Sequence, residues 1–164
     1  MPLSSALSPS NAQPLLLPRS AGWRVLRMLS RAAELARCAP RSLPIHALGQ
    51  RGEDLAYWSL RRHGYTIVAR NLRLPGQEGE LDLIAFEGRP PSLVFIEVKT
   101  RSHEGQFAAE DAVDEAKRQH LIRMARAYRR RRSHRGPYRF DVVAIYGPDD
   151  DRPRITLHRG AFHD

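Results

Sequence analysis

From about residue 47 onward the chain switches repeatedly between helical and strand-like periodicity. Gly49 to His63 reads as a helix, with Leu55, Trp58 and Ser59 at helical spacing and Glu53 and Asp54 in its first turn. His63-Gly64 is its C-terminal stop, because glycine accepts the left-handed backbone that ends a helix. Tyr65 to Ala69 follows as a strand, and Leu72 to Glu78, with Pro75 and Gly76, as a turn or loop. Glu80 to Phe86 and Leu93 to Thr100 are two further strands, separated by the turn Gly88-Arg-Pro-Pro91, and are expected to pair as an antiparallel hairpin. Ala108 to about Arg132 carries the apolar stripe of a long helix in Val113, Ala116, Leu121, Met124, Ala125 and Tyr128. Arg139 to Tyr146 is a fourth strand, Gly147 to Pro153 a loop, and Ile155 to Leu157 a short edge strand. The order α-β-β-β-α-β-β predicts an α/β fold: a mixed sheet flanked by helices.

The first 46 residues are patterned differently and are set apart as a basic N-terminal extension to a domain spanning 47–164. Met1 to Ser20 is rich in Ser, Pro and Leu without periodicity and is expected to be disordered. Gly22 to Cys38 fits a short amphipathic helix, with Val25, Leu29, Ala32 and Ala36 on one face. Six arginines and one acid, Glu34, precede residue 47. Such a segment reads as a basic arm and also mimics an organelle transit peptide, whereas no basic region precedes Leu15-Leu-Leu17 as a secretory signal requires.

Composition adds an anionic partner. The net charge is +9 and the sequence pI about 10.7, a balance most often matched to nucleic acid. Arg-rich background composition is the alternative. The single cysteine, Cys38, excludes an internal disulfide and a Cys/His zinc cluster. No apolar run is long enough to span a membrane, so a cytoplasmic protein is expected. Of the 27 Lys and Arg residues only Lys99 and Lys117 are lysines, which leaves 25 arginines. A position that keeps lysine in such a chain is a candidate for a task that needs a compact donor with a movable pKa instead of a fixed guanidinium fork.

Lys99 ends the apolar run Leu93-Val-Phe-Ile-Glu97-Val-Lys99. Strand periodicity puts Glu97 and Lys99 on one face, and Asp82, flanked by Leu81 and Leu83, is expected to point away from its apolar neighbours on the adjacent strand. Two carboxylates on neighbouring strands can share a hard cation, Mg²⁺ or Mn²⁺, with the Val98 carbonyl as a further oxygen ligand. Phosphodiester hydrolysis needs an activated water and neutralised phosphoryl charge, which such a cation supplies, while Lys99 orients the water or meets the transition-state charge. A Glu-X-Lys at a strand end is also an ordinary cross-strand ion pair. Asp82 weighs against that reading, because aspartate is disfavoured in strands and costly to bury alone.

The stretches Gly79-Glu-Leu-Asp82-Leu-Ile-Ala85 and Val94-Phe-Ile-Glu97-Val-Lys99-Thr-Arg101 resemble the PD-(D/E)xK nuclease superfamily. More closely, the chain is similar to the YraN-like family of small bacterial proteins related to archaeal Holliday-junction resolvases. The resemblance runs from about Gly49 to Tyr146 and includes Gly49-Gln-Arg-Gly52-Glu53, Gly64-Tyr65, Arg70-Asn71, Ala112-Val113 with Lys117, and Phe140-Asp141-Val-Val143. It implies a restriction-endonuclease-like fold, Asp82 and Glu97 as metal ligands, Lys99 as catalytic lysine, and Glu53 completing the acidic cluster. Glu53 read without the family is equally a first-turn acid favoured by the helix dipole. Lys117 either approaches a phosphate or the acids, or lies on a solvated helix face. Asp141 reads as structural, Glu80 as a rim residue, and His63, His103, His120 and His134 as surface residues. A resolvase acts on two strands, so the resemblance also implies a homodimer.

Lys117 to Arg139 holds ten basic residues and no acid. Lys117, Arg73, Arg101, Arg123, Arg126 and Arg130 are the candidate contacts to a nucleic-acid backbone, giving salt-dependent affinity without base reading. The expected activity is a metal-dependent DNA endonuclease selective for branched DNA. A binding module that keeps the fold without turnover is the alternative, and basic patches do not separate DNA from RNA.

Overall fold

The computed structural model describes residues 12–15, 45–101, 115–148, 150 and 152–164. The elements are β1 Ala12–Pro14, α1 Ile45–Arg62, β2 Thr66–Leu72, β3 Leu81–Glu87, β4 Ser92–Arg101, α2 Glu115–Arg131, β5 Tyr138–Tyr146 and β6 Arg154–Phe162. The strands form one mixed sheet in the order β1-β6-β5-β4-β3-β2. The expected hairpin is present: β3 and β4 are antiparallel, with Ile84 opposite Phe95 and Glu87 opposite Ser92. β4 and β5 are parallel, as the intervening helix requires. The result is the mixed α/β architecture of a restriction-endonuclease-like fold.

A helix covers each face of the sheet. Leu55, Ala56 and Leu60 of α1 pack with Leu83, Val94, Ile96 and Val143. Leu121, Met124, Ala125 and Tyr128 of α2 pack with Leu93, Phe95, Phe140 and Phe162 on the other face. The Phe95, Phe140 and Phe162 rings stack in series, at centroid separations of 5.7 and 4.7 Å. Ring pairs at such distances add to their burial.

Several elements depart from the sequence pattern. α1 starts at Ile45, four residues before the expected Gly49. Trp58 is 40% exposed instead of lining the buried face, which Gly52, Leu55, Ala56, Ser59 and Leu60 provide. Ala116 is exposed, and the expected first turns of the long helix, with Val113, lie outside the described residues. The expected helix at 22–38 and His103 also lie outside them. Residues 1–20 carry no strand pattern, yet Ala12–Pro14 pairs with β6 and Leu15 is buried. β6 is therefore not an edge, and it runs to Phe162 instead of stopping at Leu157. Its extension depends on Asp141, which is buried and accepts from the Gly160 amide at 2.9 Å, where Gly160 adopts φ +57°. Asp141 also accepts from the Tyr65 hydroxyl at 3.1 Å and from Arg139, as its structural reading anticipated.

Candidate active site

The ladder between β3 and β4 ends at the pair Leu83 and Ile96, while β4 continues to Arg101 along β5 alone. The two strands part at this point. Leu81 joins the α2-side core and Leu83 the α1-side core, so strict alternation breaks at Asp82. This corrects the expectation that Asp82 simply points away from both leucines. The fork leaves the Val98 amide without a strand partner, and Asp82 Oδ2 accepts its N–H at 2.8 Å. A buried amide has to be satisfied, so this bond fixes the carboxylate across the fork.

Glu97 and Lys99 continue the α2-facing side of β4. Glu97 is only 4% exposed. Its Oε1 meets Lys99 Nζ at 2.9 Å and Lys117 Nζ at 3.1 Å. The chain's only two lysines thus converge on one carboxylate oxygen. Lys117 comes from the first turn of α2, and its side chain reaches the acid while staying partly exposed. Glu97 Oε2 is buried and has no hydrogen-bond partner among the described residues. An unpartnered buried carboxylate oxygen is costly unless a further cation or donor reaches it.

Burial pushes the Asp82 carboxyl up to about 7, and the Glu97 charge adds to the rise. The Val98 amide and the Lys117 ammonium oppose it, while Glu53 contributes a further negative charge. Glu53 reaches the site through close helix–strand contact. A Cβ on Gly52 would come within 1.8 Å of Thr100 Oγ1, so only glycine lets α1 lie this near β4. Asn71, at φ +47°, donates to Glu53 Oε2 at 2.8 Å, and Arg70 meets Asp54 at 2.5 Å. Among the described residues no three His, Cys, Asp or Glu side chains gather as one metal-binding group. Two carboxylates facing one fork, with Glu97 Oε2 left open while both lysines sit on Oε1, nonetheless suit a Mg²⁺-like cation, which is commonly held by one or two carboxylates and keeps several waters.

His120, expected as a surface residue, sits deeper than that. It is partly buried, one turn beyond Lys117, and its ring lies against the segment before β3. A Cβ on Gly79, whose φ is +79°, would fall 2.5 Å from His120 Nε2. Burial lowers the His120 pKa, and Lys117 and Arg123 lower it further, while Glu97 acts in the opposite sense. The available signal was its helical spacing from Lys117, not any metal-ligand spacing. His63 is exposed, its Nδ1 2.8 Å from the Ser59 carbonyl oxygen.

The basic candidates run from the rim of this site to the far end of α2. Arg73 pairs with Glu80 at 3.3 Å on the rim. Arg101 closes β4, and Arg123, Arg126 and Arg130 are exposed on α2. Arg126 is held by Asp164. No helix among the described residues is long and apolar enough to cross a membrane.

Residues 52–145 match the model of the uncharacterised protein family UPF0102. A UPF0102 protein of Koribacter versatilis is 51% identical over 114 residues, covering 70% of this chain and 78% of that protein. Another from Symbiobacterium thermophilum is 43% identical over 117 residues, covering 71% and 96%. A third from Rhodopirellula baltica is 41% identical over 119 residues, covering 71% and 70%. The chain therefore belongs to the UPF0102, or YraN, family, a PD-(D/E)xK nuclease-like family.

Proposed function

We propose that this protein is a metal-dependent nuclease that hydrolyses phosphodiester bonds in DNA, with branched DNA as the preferred substrate. The observation that carries the reading is Glu97: a buried carboxylate with both of the chain's lysines on one oxygen and no partner on the other among the described residues. Asp82 and Glu97 would hold a Mg²⁺ or Mn²⁺ ion, with the Val98 carbonyl and Glu53 at its edge. Bound there, the cation acidifies water and neutralises phosphoryl charge.

The chain's own groups perform the remaining tasks. Asp82 is fixed by the Val98 amide, so its second oxygen keeps a defined direction. Lys99 carries a compact positive charge at the mouth of the fork, where it aligns the attacking water or meets the charge that builds on phosphorus. Lys117 balances Glu97 from the helix side and offers a second cation to the scissile phosphate. Arg73, Arg101 and Arg123 surround the site with charges that suit a backbone and read no base. RNA would meet the same charges, and a homodimer would supply the second site that a junction needs.

A second reading has a specific observation in its favour. Lys99 and Lys117 already neutralise Glu97, and no group of three metal-ligating side chains is assembled among the described residues. A nucleic-acid-binding module without turnover would also keep such an internally balanced acid. Labelled linear, flapped and four-way DNA, incubated with Mg²⁺, Mn²⁺ or EDTA, separates the two. Cleavage by the wild type that is lost with EDTA and in Asp82→Ala supports the enzyme. Binding without cleavage supports the module, and equal cutting by Asp82→Ala refutes the assignment of the site.

A further inference from the structure

The far end of α2 carries a second concentration of positive charge. The helix stops there in a left-handed turn: Ser133 has φ +52°, and the His134 amide donates to the Arg129 carbonyl at 2.9 Å. This ending folds residues 133–135 back around the last turn. The open, solvent-facing cavity that results, of about 400 Å³, is lined by Arg126, Arg129, Arg130, Ser133, His134 and Arg135.

Basic residues at a helix C-terminus usually answer the helix dipole, which amounts to about half a charge. The lining here exceeds that need. It holds four arginines and no carboxylate; Asp164, from outside the lining, pairs with Arg126 and also feels the charge of Arg129. Arg129 lies with its guanidinium carbon 3.7 Å from the Tyr138 ring centroid, and its Nε is buried without a hydrogen-bond partner. Among the described residues, Arg130 and Arg135 have no acidic partner. Like charges a few Å apart near a protein surface repel by on the order of 1–4 kcal/mol, which an anion in the cavity would relieve.

We propose that this cavity is a second phosphate site, which grips the backbone of a nucleic acid at a distance from the point of cleavage. Lys117 and Arg130 lie at opposite ends of α2, thirteen positions apart in the sequence. At 1.5 Å per residue the separation is about 20 Å, or about six base steps of duplex at 3.4 Å each. A duplex that reaches both ends must therefore extend about six base pairs beyond the fork. The cavity stands on its own lining; the nuclease reading supplies only the other end of the ruler.

Fluorescence anisotropy of the full chain in EDTA, with DNA hairpins whose stems are about 4 or about 12 base pairs, tests the assignment without requiring cleavage. Arg130→Gln with Arg135→Gln is expected to weaken the long stem about 10- to 100-fold and make its salt slope shallower by about two. The short stem should change by less than about threefold, and Arg130→Lys with Arg135→Lys should retain most of the long-stem affinity. Thermal melting confirms folding, and the lysine variant keeps the comparison valid if the glutamine variant misfolds. Equal losses for both stems, or none for the long one, overturn the proposal. So does inorganic pyrophosphate binding as tightly as the long stem, which would make a small free phosphate the ligand. Length-dependent binding without cleavage would instead leave this site standing and remove the nuclease reading alone.

Discussion

Lys99 and Lys117 place their ammonium groups on one oxygen of Glu97, in a chain that otherwise meets its need for positive charge with arginine. A guanidinium fork asks for two acceptors and more room than a buried single oxygen offers, so the choice of lysine follows from the site's geometry. Asp82 carries the opposite cost. Its folded pKa of about 7 lies above the ordinary 3.8, so the folded chain holds a proton that the unfolded chain has released. Stability therefore falls as pH rises from about 4 to about 7, and the full cost stands above that. Asp82→Asn, melted in EDTA, should gain on the order of 1–3 kcal/mol at pH 8, with the gain shrinking toward pH 4. A gain that does not vary with pH would remove the buried-charge account. Glu97 and Lys99 could be put on one face from the strand period of two, whereas Asp82 stood out as an aspartate in a strand but could not be oriented, because alternation breaks there. For Lys117 the sequence leaves open an approach to a phosphate or to the acids, or a solvated position, and the choice among these, like the seating of His120 against Gly79, depends on where α2 docks.

At the level of elements, the missing side chain of Gly52 lets α1 touch Thr100 and brings Glu53 toward the fork. Gly49, one turn earlier, has no atom within 4 Å of the Cβ it would gain. The two glycines should therefore respond oppositely to alanine in urea unfolding. Gly49→Ala should stabilise by about 0.5–1 kcal/mol through helix propensity, and Gly52→Ala should destabilise by about 1–3 kcal/mol through overpacking. The same sign for both would show that α1 does not approach β4 this closely. The hairpin and both helices could be read locally from turns and periodicity. β1 could not, because three residues of Ala-Gln-Pro become a strand only through pairing with β6. The length of β6 was hidden for a related reason: Arg159 and Gly160 break the apolar pattern, and Asp141 restores order from a neighbouring strand.

Across the whole molecule, the fork lies at one end of α2 and the arginine cavity at the other. Arg73 and Arg126 already have carboxylate partners, so a bound duplex should draw chiefly on Arg101, Arg123, Arg130 and Arg135. Four phosphate contacts give a log–log salt dependence with a slope of about −3.6. A slope near zero would mean that the net charge of +9 reflects background composition and not a binding surface. That charge was visible in the sequence, but its division between a site and a remote grip depends on the helix joining them. The central claim is that the fork is a catalytic centre, and single-turnover cleavage of labelled four-way DNA in Mg²⁺ tests it most directly. Lys99→Arg and Asp82→Asn should each slow cleavage at least about 100-fold while DNA affinity stays within about threefold of wild type. Cleavage by both variants at the wild-type rate would contradict it.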